Sequence, residues 1–226
     1  MEPLAGDERH AIAVPGVASV HSHAFPRGMA GLAEVRGSTA DTFWTWRDTM
    51  YRFALSMTPD DVEAAALQLC CEMLETDFTR VGEFHYLHHD RDGTPYADLA
   101  EMASRIASAA GQSGIGLTLL PSFYAHSTFG AAEPHAGQRR FICDVDQFAR
   151  LIEASKKVLD TLPGATIGVA PHSLRAVTPS ELKAVVALAK KGPVHIHVAE
   201  QVKEVEDCIA WCGQRPVEWL HASWPT

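Results

Sequence analysis

Val17-Ala18-Ser19-Val20-His21-Ser22-His23 is a short apolar run that closes on two histidines. Far along the chain, Pro193-Val194-His195-Ile196-His197-Val198-Ala199-Glu200 repeats the pattern and adds a glutamate. Both runs have the length and β-branched content of strands. Side chains two apart in a strand share a face, so His21 and His23 project to the same side. Two imidazoles so placed reach one metal ion. A third imidazole from a distant strand, with a carboxylate three residues beyond it, supplies what a hydrolytic zinc site needs. One pair alone says little in a chain with 12 histidines among 226 residues; the strand setting of both pairs and the glutamate carry the reading.

Between these runs strand and helix signals alternate. Strands are predicted at residues 17–20 (as a buried strand), 78–84, 116–121, 166–170 and 193–198. Helices are predicted over 41–55, 99–110, 144–159 and 201–211, with a short one at 216–221. Two further helices open on explicit start signals: Thr58-Pro59-Asp60-Asp61, with a cap, an early proline and acids at the positive end of the dipole, and Thr178-Pro179-Ser180-Glu181, a capping box. A long loop follows the third strand to about Arg140.

Strands separated by helices predict a parallel sheet. Titratable residues collect where each strand ends: His21 and His23, then Glu83, His85 and Tyr86, then Tyr124, then His172 and Arg175, then His197 and Glu200. Such a spread predicts the active face of a (β/α) barrel; an open doubly wound sheet gathers its ligands near one switch point. The expected class is α/β. A complete barrel has eight strands in about 250 residues, so the five strand signals predict an incomplete barrel, about the first five βα units of eight.

Composition fits this picture. Hydrophobic residues are 46% and charged residues 21%, ordinary for a globular chain with one core. The net charge of −9 and the absence of a basic run exclude nucleic acid as an expected partner. No apolar run is long enough to span a bilayer, and the first residues do not read as a secretory leader, so a cytoplasmic location is expected. Five cysteines without a Cys-x-x-Cys read as reduced thiols; Cys208 and Cys212, at helical spacing, leave a zinc or redox pair as the alternative.

The candidate metal ligands are His21, His23 and His197. Nitrogen donors suit zinc, with iron(II) as the alternative. His195 shares the face of His197 and is expected to support it from deeper in the sheet. Glu200 suits proton transfer between an attacking water and a leaving group. Arg47 and Arg175 are candidate clamps for an anion, since guanidinium meets carboxylate in a two-pronged geometry. Tyr86 and His172 are expected to line the pocket.

At these residues the sequence resembles the amidohydrolase superfamily, and within it the formimidoylglutamate deiminase family. The segments that carry the resemblance include Val20-His21-Ser22-His23-Ala24-Phe25, Phe43-Trp44-Thr45-Trp46-Arg47 and Glu83-Phe84-His85-Tyr86-Leu87-His88-His89. They continue with Gly137-Gln138-Arg139-Arg140-Phe141, Ala170-Pro171-His172-Ser173-Leu174-Arg175 and His195-Ile196-His197-Val198-Ala199-Glu200-Gln201. The resemblance implies hydrolysis of N-formimino-L-glutamate to N-formyl-L-glutamate and ammonia in histidine breakdown. It implies zinc on His21, His23 and His197, proton shuttling by Glu200, and a small dicarboxylate held by Arg47, Tyr86, His172 and Arg175. A homodimer is a further expectation.

Three departures accompany it. Pro26 stands where the family usually has a glutamine. Residues 1–14 are expected to be a remnant of the family's N-terminal β domain or disordered, leaving 15–226 as the partial barrel. The sixth-strand histidine and eighth-strand aspartate of the family have no counterpart here, since Asp207 falls on a predicted helix. Two other readings stay open: a related hydrolase acting on a nucleobase or triazine-like ring, and a non-catalytic fragment.

Overall fold

The computed structural model describes residue 12, residues 14–32 and residues 43–224, with side chains in the last stretch from Trp46 onward. Nearly all of the stretch expected to be a domain remnant, residues 1–14, therefore lies outside the described residues. The elements in chain order are β1 (Val17–Ser22), α1 (Phe43–Ser56), α2 (Pro59–Glu75), β2 (Phe78–His85), α3 (Glu101–Ser113), β3 (Gly116–Phe123), α4 (Val145–Leu159), β4 (Thr166–Ile167), β5 (Ala170–Pro171), α5 (Pro179–Leu188), α6 (Val202–Cys212) and α7 (Pro216–Ser223). Short 3-10 turns at Phe25–Met29 and Ala136–Gln138 punctuate the loops.

The strands form one parallel system in the order β1-β2-β3-β4, with β5 also on β3. β2 and β3 run in unbroken register from Arg80↔Gly116 to His85↔Pro121. They are buried because helices cover them: Phe84, Leu117, Leu119, Leu120 and Phe123 are all at most 1% exposed. Parallel pairing requires a crossover between successive strands, and the helices supply it. Both predicted helix starts are present. Thr58 and Thr178 each accept the backbone N–H three residues on, and Asp61 and Glu181 return the bond. The Ala-rich face of α3 (Ala103, Ala107, Ala109, Ala110) packs closely with α2 and β3.

Three predicted strands differ in detail. β1 exists and extends to Ser22, but it is exposed rather than buried: Val17 is 55% and Val20 71% open. It pairs only with β2 among the described residues, so its outer side has no strand cover. The fourth strand is two short pieces, β4 and β5, broken at Gly168–Val169. There the chain leans on the neighbouring segment, and a β-carbon on Gly168 would stand 2.2 Å from the Pro193 carbonyl oxygen. The fifth run, residues 193–198, is no regular strand; it touches the sheet through the isolated parallel bridges Val169↔Val194 and Ser173↔His197. Its backbone still tracks the sheet, with Val169 N–H donating to Pro193 O, His195 N–H to Val169 O and His197 N–H to His172 O.

Candidate metal centre

Two chain segments, far apart in sequence, meet at the C-terminal edge of this sheet. β1 delivers His21 and, just past its end, His23; residues 193–198 deliver His197. One donor atom from each ring lies within 4.8 Å of the others. The ring centroids are 4.7 Å apart for His21 and His23, 5.0 Å for His21 and His197, and 5.3 Å for His23 and His197. Phe84 on β2 packs against all three rings, at 5.4, 5.2 and 4.3 Å.

The hydrogen bonds fix which nitrogens face the common point. His23 Nδ1 lies 2.9 Å from the Phe84 carbonyl and His197 Nδ1 lies 3.1 Å from the His172 carbonyl. A carbonyl only accepts, so each Nδ1 carries the proton and each Nε2 keeps its lone pair. His197 Nε2 and His21 Nε2 then sit 3.2 Å apart. Two nitrogens about 2.05 Å from a tetrahedral zinc would be about 3.3 Å apart. The donor set therefore fits a divalent ion in its chemistry, His23 and His197 fit it in tautomer, and the His21–His197 pair fits it in spacing.

Electrostatics agree. Burial pushes the His23 imidazolium down to about 4, against a smaller opposing effect of its bond to Phe84. Burial, reinforced by the neighbouring His23 and His21, pushes His197 down to about 3. His21 is lowered too, by burial and then by His195. The three rings are thus neutral near pH 7, the state in which imidazole is a ligand. His195 acts on His21 through its charge, consistent with a place beside the cluster.

The remaining predicted residues gather around the same point. His23, Arg47, Tyr86, His172, Arg175, His197 and Glu200 line one cavity of about 100 Å³, with Tyr51 and Tyr124 on its walls. His172 stacks near His197 (4.9 Å), Tyr86 (5.8 Å) and Tyr124 (4.5 Å), and burial holds it well below the usual histidine range. Arg47, on α1, lies over the Tyr51 ring at 5.6 Å. A wider hollow of about 590 Å³, lined in part by Arg47, Arg175 and Trp211, adjoins this cavity.

Arg175 holds more than the sequence suggested. Its guanidinium reaches Glu200 at 3.0 Å through Nη2 and Glu204 at 3.3 Å through Nε. Glu204 is 3% exposed and also accepts the Glu200 backbone N–H at 3.2 Å. Sequence reasoning missed Glu204; its place four residues after Glu200, in the first turn of α6, is the signal that was available. It placed Glu83 among the titratable residues that end the second strand but gave it no role, and did not see that this carboxylate is buried. The cysteines carry free thiols, with Cys208 and Cys212 sulfurs 3.9 Å apart and Cys212 bonded back to the Cys208 carbonyl.

Comparison with known proteins follows the same lines. Residues 12–223 match the amidohydrolase family. Formimidoylglutamate deiminase of Pseudomonas aeruginosa is 50% identical over 218 residues, which are 96% of this chain and 48% of that protein. The crystal structure of an amidohydrolase from Brucella melitensis superposes with a TM-score of 0.90 at 63% identity, over 96% of this chain and 50% of that one. A zinc-bound adenosine deaminase from Xanthomonas campestris shares the fold, with a TM-score of 0.66 at 23% identity over 92% of this chain and 41% of that one. The chain spans about half the length of the curated relatives it matches. Its sheet and helices correspond to part of an amidohydrolase-type barrel.

Proposed function

Because the chain belongs to the amidohydrolase family, we propose that it carries the metal centre and substrate pocket of a deiminase acting on N-formimino-L-glutamate. The products are N-formyl-L-glutamate and ammonia, a step of histidine breakdown. One observation carries the reading: His21, His23 and His197 converge within 4.8 Å, beside a cavity that also presents Glu200, Arg47 and Arg175. The 50% identity to formimidoylglutamate deiminase supports the substrate.

His21, His23 and His197 would hold the ion through Nε2 of His23 and His197 and a ring nitrogen of His21. We take it to be zinc, as in the zinc-bound deaminase of the same fold, with iron(II) as the alternative. When bound, a divalent ion supplies Lewis acidity, which acidifies water and polarises the carbon under attack. The protein's own groups do the rest. Glu200, at the cavity rim, accepts a proton from the attacking water at a carboxylate oxygen and delivers it to the departing nitrogen. Water thereby adds to the formimino carbon, the carbon–nitrogen bond to the terminal NH breaks, and ammonia leaves. Arg175 fixes the Glu200 carboxylate at 3.0 Å. Arg47 and Arg175 meet the two substrate carboxylates, and Tyr86 and His172 wall the planar formimino group; such positioning is a large part of a rate enhancement. Five free thiols support a reducing, cytoplasmic setting. Among the described residues no helix is long and apolar enough to cross a membrane.

The test is ammonia release from N-formimino-L-glutamate and from guanine, side by side, with the purified 226-residue chain loaded with zinc. Release from the first alone, abolished in His197→Ala, is the expected result. Release from guanine would place the chain with the ring deaminases, and release from neither would leave it without this activity.

A further inference from the structure

The carboxylate of Glu83 takes no part in the chemistry above, yet it is 3% exposed and sits directly behind the metal-ligand segment. Its Oε1 accepts the Ala24 backbone N–H at 2.6 Å, and the Ser22 side chain also bonds to it. Those two partners bracket His23. The bracket lies where the β1–β2 pairing is irregular. Between Ser19↔Val81 and Ser22↔Glu83 the first strand advances three residues while the second advances two. One extra residue in β1 is a bulge, a device that re-aims side chains and is rare in parallel pairs. Strict alternation therefore does not by itself aim His21 and His23 at one point; something must hold the irregular turn of chain.

The residue before Glu83 makes room for it. A β-carbon on Gly82 would stand 2.7 Å from the Val20 carbonyl oxygen, closer than real contacts allow. Gly82 thus lets the bulged strand lie against β2, and Glu83 ties down its exit. We infer that Gly82 and Glu83 form a seat that positions the two β1 histidines for metal, with Glu83 a positioning residue that touches neither ion nor substrate. This inference rests on the metal-centre reading.

The experiment measures Zn²⁺ and Co²⁺ affinity by competition with a chromophoric chelator, together with the visible absorption spectrum of the Co²⁺ form. Wild type, Glu83→Leu, Glu83→Gln, Ser22→Ala and His197→Ala are compared. Glu83→Gln keeps an acceptor for Ala24 N–H and a donor for Ser22, so wild-type affinity and spectrum are expected. Glu83→Leu fills the same volume without either bond. About 10- to 100-fold weaker binding is expected, the usual cost of losing a partner that orients a ligand, with a changed Co²⁺ spectrum and an unchanged far-ultraviolet circular dichroism. Rescue in the glutamine variant separates positioning from mere packing. Wild-type affinity and spectrum in Glu83→Leu would overturn the inference while leaving the metal centre intact. If Glu83→Leu fails to melt cooperatively, Ser22→Ala decides, since it removes one of the two bonds and leaves the carboxylate: weaker binding with a shifted spectrum supports the seat, and unchanged values overturn it. Equal metal binding by wild type and His197→Ala would instead remove the metal-centre reading, and the seat with it.

Discussion

Replacing Arg140 by methionine should destabilise the protein by about 3 kcal/mol. Arg140 is wholly buried, and its guanidinium donates to three backbone carbonyls: His89 O at 2.7 Å, Met57 O at 2.8 Å and Ala54 O. A fourth, longer bond reaches the Tyr96 hydroxyl at 3.4 Å. Two of the carbonyls belong to the C-terminal end of α1 and the residue just beyond it, where the helix leaves acceptors unpaired and the dipole favours a cation. Methionine has similar volume but no donor, so three buried acceptors lose their partner at about 1–3 kcal/mol each. Relief of the buried guanidinium's desolvation returns part of that, which leaves the net near 3 kcal/mol. Equilibrium urea unfolding at pH 7 reads it as a midpoint lowered by about 1 M for a slope of about 3 kcal/mol/M. Arg140→Lys should fall between, because one ammonium cannot satisfy all three carbonyls. A loss below about 1 kcal/mol in the methionine variant would refute the reasoning, since it would mean that the acceptors find other partners or water. The consequence is also functional: α1 carries Arg47, so the variant that survives folding should bind the dicarboxylate less tightly.

Glu200→Gln should lower kcat about 10²- to 10⁴-fold, the range for loss of a general acid–base group, with zinc content unchanged; a fall under threefold in ammonia release would take the proton role away from Glu200. Metal-free protein should lose stability as pH falls from 6.5 towards 4. Burial holds His85 at about 4 and His88 well below 6.5, so only the unfolded chain gains their protons in that window. Glu83, pushed by burial from 4.5 up to about 7, acts with the opposite sign, its contribution falling as pH rises through that window. Glu204 is raised by burial as well, but His23, His172 and His197 are lowered like His85 and His88, so the histidines outnumber the carboxylates, and a urea midpoint that stays level or rises on acidification would contradict the assignment. Thr58→Ala should cost about 1 kcal/mol, because it deletes the cap on α2 in which Thr58 Oγ1 accepts Asp61 N–H at 3.2 Å; a thermal-melt change equivalent to less than about 0.3 kcal/mol would show the cap to be redundant.

Much of the site was readable because strand ends converge whatever the details of the sheet. His21, His23 and His197 meet, and Tyr86, His172, Arg175 and Glu200 share a cavity with two of them, because residues at the C-terminal ends of parallel strands face one rim; Arg47 reaches the same cavity from α1. Sequence was less informative wherever the answer depends on a neighbour. Val17 and Val20 look like core residues by type, but burial of a strand depends on what lies beside it. The runs at 166–170 and 193–198 have strand composition, yet close backbone approach at Gly168 breaks the first and leaves the second paired through single bridges. Arg175 shows the same limit at the level of one side chain. Its chemistry suggested a substrate carboxylate, and α6 brings Glu204 to it. Arg140 was visible only as part of a motif, because the carbonyls that it satisfies come from helix ends that composition does not bring together.

The contrast between the buried histidines and Glu200 follows from one physical requirement. An imidazole serves as a ligand only when neutral, and burial against Phe84 enforces that state on His23 and His197 without any help from an ion. The same burial would disable a proton carrier, which must hold and release charge during turnover. Glu200 accordingly lies at the rim, with its side chain 33% exposed and anchored on one side by Arg175. Half-buried neutral rings and a wetter, tethered carboxylate therefore have different surroundings. The chain supplies both within four residues by letting the 193–198 segment leave the sheet between His197 and Glu200, where Ala199 adopts a φ of 44° that an L residue rarely takes.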